Sequence, residues 1–202
     1  MTSSAQSIVD LYERHARAWA AQRQRGSFLE RRWLERFIGL LPGGAAILDI
    51  GCGAGTPIAS YLLDAGFRIT GIDSSPTMIE MCRARHPHCE WLVADMRTLA
   101  LGRSFQGIVA WDSFFHLARD DQRSMFPIFK AHAALQAPLL FTSGPGDGEA
   151  IGGYAGEPLY HASLAGEEYR SLLHDNGFAV REHIAEDPQC GQHTVWLAQR
   201  DT

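Results

Sequence analysis

The sequence predicts an α/β fold in which a mostly parallel sheet is covered by helices on both faces. Three observations carry this prediction. Short apolar runs of strand length alternate with helical patterns, four of those runs end in aspartate, and the first is followed at once by the glycine-dense turn "GCGAG". In a parallel sheet the ligand-binding edge lies outside the carboxyl ends of the strands. Asp49, Asp73, Asp95 and Asp112 would therefore gather on one edge.

The elements follow in order. Ile8, Leu11, Tyr12, His15 and Trp19 share a face at helical spacing, and Leu29, Trp33, Phe37 and Leu41 repeat the pattern after a break at Gly26. Two helices thus precede the first strand, "AAILDI". After the glycine turn, Thr56 is expected to cap a helix with Pro57 at its first position, ending at Gly66. "FRITGID" is the second strand, and Ser75 and Pro76 start a helix that must end before Pro87. "EWLVAD", "FQGIVAWD" and "APLLFTS" read as the third, fourth and fifth strands, with an amphipathic helix over 121–135 between the last two. "GPGDGEAIGGYAGEP" reads as a long glycine-rich connection, a candidate lid. A helix over 166–176 ends at Gly177, and "FAVREHIAE" and "HTVWLAQR" form an antiparallel pair.

The 202 residues suit one domain with a sizeable core. A net charge of -5 argues against general affinity for nucleic acid, which depends on Lys and Arg neutralising phosphates. Four scattered cysteines without a CxxC pair suit a reducing compartment. No leader-like basic and apolar segment opens the chain and no run approaches the length of a membrane span, so the expectation is a cytoplasmic protein without a membrane partner.

Gly51, Gly53 and Gly55 are spaced GxGxG, whereas a dinucleotide pyrophosphate above a helix favours GxGxxG. Glycines alone permit nothing more than a tight turn. With Asp73 at the end of the second strand, where an acid would hold ribose hydroxyls, the pattern suits a nucleoside lacking a pyrophosphate.

"LDIGCGAG", "GIDSSPTMI", "VADM" and "FQGIVAWDSFFHL" together resemble the motifs of the class I S-adenosylmethionine-dependent methyltransferases, especially the small stand-alone members acting on small molecules. The resemblance runs from about Ala45 to the last strand. It implies a Rossmann-like sheet of seven strands, the last antiparallel and inserted between the fifth and sixth, in a single domain over 1–202, with a helical cover over 1–42 and the core over 43–202. It implies S-adenosylmethionine as cofactor, with Gly51, Cys52, Gly53 and Gly55 against the methionine portion, Asp49 near its ammonium and Arg25 on its carboxylate. Asp73 would take the ribose hydroxyls, Ser74 and Met78 would border ribose and adenine, Asp95 and Met96 would meet the adenine, and Trp111 would offer a backbone carbonyl. Methyl transfer needs alignment and exclusion of water more than covalent chemistry. For a hydroxyl or amine acceptor, His116, Asp112 and His161 are the candidate bases, His116 first.

The rim of the acceptor site is expected to include Phe115, Tyr160, Asp187 and His193, with Phe114 and Tyr154 adding aromatic walls. Such an acidic, aromatic pocket suits an amine-bearing acceptor. Glu186, Asp187, Cys190 and His193 match no standard metal spacing, so no metal is expected. The competing readings are a silent protein that binds the cofactor without transfer, a nicotinamide oxidoreductase, and a nucleic acid methyltransferase, which "WDSF" after the fourth strand disfavours. Neither the acceptor nor the oligomeric state is legible.

Overall fold

The computed structural model describes residues 4–201; residues 1–3 and 202, which the expected domain includes, lie outside the described residues. Helices α1 (Ser4–Arg25) and α2 (Arg31–Ile38) precede a sheet built from β1 (Ala46–Ile50), β2 (Arg68–Asp73), β3 (Glu90–Val93), β4 (Gly107–Ala110), β5 (Pro138–Ser143), β8 (Phe178–Asp187) and β9 (His193–Arg200). The strand order is β3-β2-β1-β4-β5-β9-β8. β1 pairs in parallel with β2 and β4, and β9 runs antiparallel to both β5 and β8, as the sequence implied.

Between the strands run α3 (Ile58–Asp64), α4 (Pro76–Arg85), α5 (Arg119–His132) and α6 (Gly166–Asp175). The central strands β1, β4, β5 and β9 are buried on both faces, and their alternation sorts the core into two layers. Ile47, Leu140, Val195 and Leu197 pack with Trp33, Phe37, Ala59 and Leu62 from α2 and α3. Leu48, Ile50, Phe141 and Trp196 pack on the other side with Phe126, Phe129 and Tyr169 from α5 and α6.

Four local expectations are corrected. Pro57, not Thr56, stands at the N-cap of α3, and no side chain caps that helix. α5 stops at His132, because Phe105 N donates to the His132 carbonyl at 2.7 Å and Ala133 enters a parallel bridge with Phe105. Phe114 belongs to the core, at 0% exposure against Phe126, Phe129 and Phe141, and walls no pocket. The glycine-rich stretch is no simple connection: β6 (Gly148–Tyr154) and β7 (Glu157–Ser163) form an antiparallel hairpin separate from the main sheet.

This hairpin and α1 close over the carboxyl edge of the sheet. Ile8 and Leu11 of α1 pack on Leu159, Tyr160 and Ala162 of β7, while Ala16 and Ala20 pack on Ala54 and Met78. Polar contacts fasten both flanks. Thr77 Oγ1 at the start of α4 donates to Glu13 at 2.6 Å, and Glu157 of the hairpin pairs with Arg14 and with His15 at 2.7 Å. No described helix is long and apolar enough to cross a membrane.

Asp187 is the clearest case of a residue whose role the fold reassigns. It is 2% exposed, accepts the indole N–H of the fully buried Trp33 at 2.9 Å, and caps a short 3-10 turn (Pro188–Cys190) through Gln189 N. It therefore faces the interior and not the substrate rim. Asp187→Ala strands the indole donor, and an unmet buried donor costs about 1–3 kcal/mol. The expected result is a melting temperature lower by about 2–12 °C for a chain of this size, with ligand binding at the cleft retained.

Candidate active site

A cleft opens at the carboxyl ends of β1, β2, β3 and β4, lined in part by Tyr12, Gly53, Asp73, Met78, Asp95 and His116. A second lobe continues past the glycine turn, where Arg23, Asp49, Cys52 and Trp111 join the lining. The lobes share Trp19, Gly51, Gly53 and Asp112. A third, more open recess lies between the hairpin and the turn before β9, with Phe115, His161 and His193 on its wall.

The glycines have three different reasons. A Cβ on Gly51 would stand 2.3 Å from Ser113 Cβ, so glycine there admits the loop after β4. Gly55 does not reach the cleft: its Cβ would meet Cys82 Sγ at 3.2 Å and the Trp91 ring, which makes it a packing glycine. Gly53 has φ +53° and no heavy atom within 4 Å of an added Cβ, so it alone leaves open space above a bare backbone.

Asp73 holds this turn in place. One oxygen accepts Gly53 N and the other accepts Ser75 N, each at 2.9 Å. A carboxylate has about four acceptor sites, so lone pairs remain on both oxygens. Burial, outweighing those backbone donors, raises its pKa. Ser75 in turn caps α4 by accepting Met78 N at 3.1 Å, which sets Ser74 and the buried Met78 against the cleft.

Asp49 lies inside β1 at 3% exposure and reaches the second lobe. Burial first, and the Asp73 charge second, push its carboxyl up to about 7. Asp95 caps the turn Met96–Thr98 and is forked by Arg97, whose Nε stands 3.0 Å from each carboxylate oxygen. That guanidinium holds Asp95 below the usual carboxylate range.

The end of β4 is strained. Asp112 has φ +49°, a left-handed conformation that costs a non-glycine residue about 1–3 kcal/mol, and its amide donates to Thr142 Oγ1 at 2.9 Å. His193 Nε2 lies 3.0 Å from Asp112 Oδ1 and its Nδ1 lies 2.5 Å from the Cys190 carbonyl. Both ring nitrogens thus face acceptors, and the pairing with Asp112 raises the His193 pKa despite burial. The neighbouring indole of Trp111 is 4% exposed and its Nε1 has no partner among the described residues.

His116 is not free to meet an acceptor directly. Its Nδ1 lies 2.9 Å from the Tyr160 carbonyl and its Nε2 lies 2.9 Å from the Tyr12 hydroxyl. Tyr160 contributes that carbonyl, while its ring is 7% exposed and packs beneath α1. His161 Nδ1 faces the Leu159 carbonyl at 3.1 Å, and burial lowers its pKa, so it is a neutral imidazole with Nε2 available. No group of three or more metal-ligating side chains occurs among the described residues.

Arg25 is exposed at the end of α1 and lines neither lobe. Arg23 does line the second lobe, pairs with the buried Glu30 and stands 4.0 Å from Asp112. Two residues on a helix are about 200° apart, so one arginine faces in and the other out. Tyr12, Trp19 and Arg97 also line the cleft. Tyr12 and Trp19 carried a helical apolar signal that pointed to packing, and Arg97 carried none.

A protein-family model described as "Methyltransferase domain" matches residues 47–134. An O-methyltransferase of Pyrenophora dematioidea is 30% identical over 181 residues, covering 80% of this chain and 66% of its own length. The chain spans less of other curated relatives it matches, such as 41% of a malonyl-[acyl-carrier protein] O-methyltransferase of Pectobacterium atrosepticum. Among solved structures, magnesium protoporphyrin IX methyltransferase from Synechocystis PCC 6803 with bound S-adenosylmethionine superposes with a TM-score of 0.76 at 16% identity, over 100% of this chain and 99% of that one. The 1,6-didemethyltoxoflavin-N1-methyltransferase of Burkholderia thailandensis, bound to S-adenosylhomocysteine, gives 0.71 at 18% identity over 98% and 87%. At such identities these structures show a shared fold. Together the comparisons show that residues 47–134 of this chain match a methyltransferase domain, in a fold shared with methyltransferases that bind S-adenosylmethionine.

Proposed function

We propose that the chain transfers a methyl group from S-adenosylmethionine to a nitrogen or oxygen of a small-molecule acceptor, as one domain whose residues 1–42 cover the core. One observation carries the reading. The two lobes meet over Gly53 and offer, in sequence, an acid for an adenine amine (Asp95), an acid with free lone pairs for a ribose (Asp73), bare backbone (Gly53), and an acid and an arginine for an amino acid zwitterion (Asp49, Arg23). Arg23 replaces Arg25 in the last role, and Trp111 offers its unpartnered indole N–H beside it.

The third recess adjoins the shared segment through Asp112 and His193, which supports its use for the acceptor. There the attacking atom bonds to the methyl carbon as the S–CH3 bond breaks, and the sulfur leaves as a neutral thioether. Alignment and a closed cleft supply most of the acceleration. His161 Nε2 is the group available to take the proton of a neutral acceptor, and Phe115 supports its ring at 5.3 Å. His193, 3.0 Å from Asp112, serves to hold that carboxylate and the acceptor. The names of the relatives, O-methyltransferase and N1-methyltransferase, support an oxygen or nitrogen acceptor.

The experiment is a panel of small alcohols, phenols, carboxylic acids and amines incubated with S-adenosylmethionine, read by S-adenosylhomocysteine formation. Turnover dependent on one class supports the proposal. Binding of the nucleoside with no turnover across the panel would favour a silent binding protein.

Asp49 gives this reading a pH signature. Its folded pKa of about 7 stands above the unfolded 3.8, so between those values the folded state holds a proton that the unfolded state has lost. Stability therefore falls as pH rises through that window. An ammonium placed beside Asp49 would return it to the ionised form, so S-adenosylhomocysteine binding at pH 6 should release a proton. Calorimetry in buffers of different ionisation enthalpy measures this release, and Asp49→Asn should abolish it.

A further inference from the structure

Two sets of donors compete for Asp95. Its place just beyond β3 suits an adenine amine, yet Arg97, two residues on, already surrounds it. The Arg97 amide donates to Asp95 Oδ1 at 2.9 Å, Nε faces both oxygens at 3.0 Å, and Nη2 donates to Oδ2 at 2.5 Å. A carboxylate has about four acceptor sites, and these contacts direct an Arg97 N–H at each of them. An amine reaching Asp95 from the cleft must displace the guanidinium.

The guanidinium has a second carboxylate within reach. Arg97 Nη1 stands 3.5 Å from Asp121 Oδ2, in the first turn of α5. Arg97 and Asp95 line the first lobe, whereas Asp121 does not. The Asp95 and Asp121 side chains are 38% and 37% exposed, and ion pairs so open to water are weak. Exchange of one partner for the other is therefore easy. An arginine has five N–H donors, and the contacts to the two acids leave some of them over.

Building on the proposed function, we infer that Arg97 sets the selectivity of the purine subsite: it must pass from Asp95 to Asp121 before Asp95 can accept from an exocyclic amine, and it can donate to a purine that carries an oxygen in that place. The amine is a donor and needs a carboxylate with open lone pairs. The oxygen is an acceptor and needs the guanidinium to stay. Arg97 thus weakens binding of the amino nucleoside and favours its deaminated analogue, and Asp121 limits the effect by taking the guanidinium. Asp121 is a positioning residue that acts through Arg97.

The test is calorimetric affinity for S-adenosylhomocysteine and for its deaminated analogue, S-inosylhomocysteine, in wild type, Arg97→Ala, Asp121→Ala and the double variant, with melting temperatures recorded for each. Arg97→Ala should raise S-adenosylhomocysteine affinity about three- to tenfold, by making the competent form of Asp95 the only one, and should lower affinity for the analogue, which loses its donor. Asp121→Ala removes only the alternative partner, so S-adenosylhomocysteine affinity should fall about two- to fivefold with the analogue near wild type. In the Arg97→Ala background the Asp121 substitution should have no further effect, since the two act through one contact. A merely structural role for Arg97 in the turn Met96–Thr98 would weaken both nucleosides alike. That result, an unchanged ratio of the two affinities in Arg97→Ala, or an Asp121→Ala effect that persists without Arg97 would overturn the inference. Failure of wild type to bind either nucleoside would instead overturn the cofactor reading, and this inference with it.

Discussion

Asp73→Ala is expected to lose S-adenosylhomocysteine binding by more than 100-fold while the protein still folds. Hydrogen bonds to a charged group contribute about 1.5–3 kcal/mol each, and the ribose would make two of them to this carboxylate. The substitution also frees the Gly53 and Ser75 amides that Asp73 accepts at 2.9 Å. Gly53 lies at the lining of the cleft, where water can replace the carboxylate, whereas Ser75 is buried, so the stability loss should be about 1–3 kcal/mol. Burial already raises the Asp73 pKa, which means the ionised side chain is not a large source of stability. A concentration of ligand that stabilises wild type by about 2.7 kcal/mol, at 100 times its dissociation constant, should stabilise the variant by less than about 0.5 kcal/mol. Isothermal calorimetry and thermal unfolding together measure both effects.

Gly51→Ala and Gly53→Ala should separate stability from binding. At Gly51 the new methyl would overlap Ser113 Cβ at 2.3 Å, in a backbone with φ +74°. Ser113 cannot yield cheaply, because its hydroxyl donates to the Ile50 carbonyl at 2.8 Å. Overpacking and the left-handed backbone each cost about 1–3 kcal/mol. The expected loss of roughly 3 kcal/mol lowers the melting temperature by about 6–12 °C. At Gly53 there is nothing within 4 Å to overlap, so only the backbone penalty applies. Its methyl instead enters the space the nucleoside would take, and affinity should fall at least tenfold. A Gly53→Ala protein that binds normally would contradict the cradle.

The acids and the glycine turn were legible because strand ends and tight turns are written locally. Asp73, Asp95 and Asp112 stand at carboxyl ends of consecutive parallel strands, and the register of β1 with β2 and β4 brings them to one edge. The hairpin was not legible, since nearly all of β6 is exposed and so carries no alternation of apolar and polar residues. Asp187 read as a rim acid because nothing local signals that Trp33, more than 150 positions earlier, brings it an indole N–H. Tyr12 read as packing because its ring does pack; only the hydroxyl reaches His116, 104 positions later. What the sequence withheld were contacts across the closure between α1, the hairpin and the loop after β4.

The most direct measurement is the thermal unfolding midpoint of ligand-free wild-type protein, alone and with excess S-adenosylhomocysteine, with NAD as the control. At about 100 times the dissociation constant the nucleoside should add roughly 2.7 kcal/mol, or about 5–10 °C, and NAD should add nothing. No shift with S-adenosylhomocysteine, or a shift with NAD in its place, would contradict the assignment of the cleft.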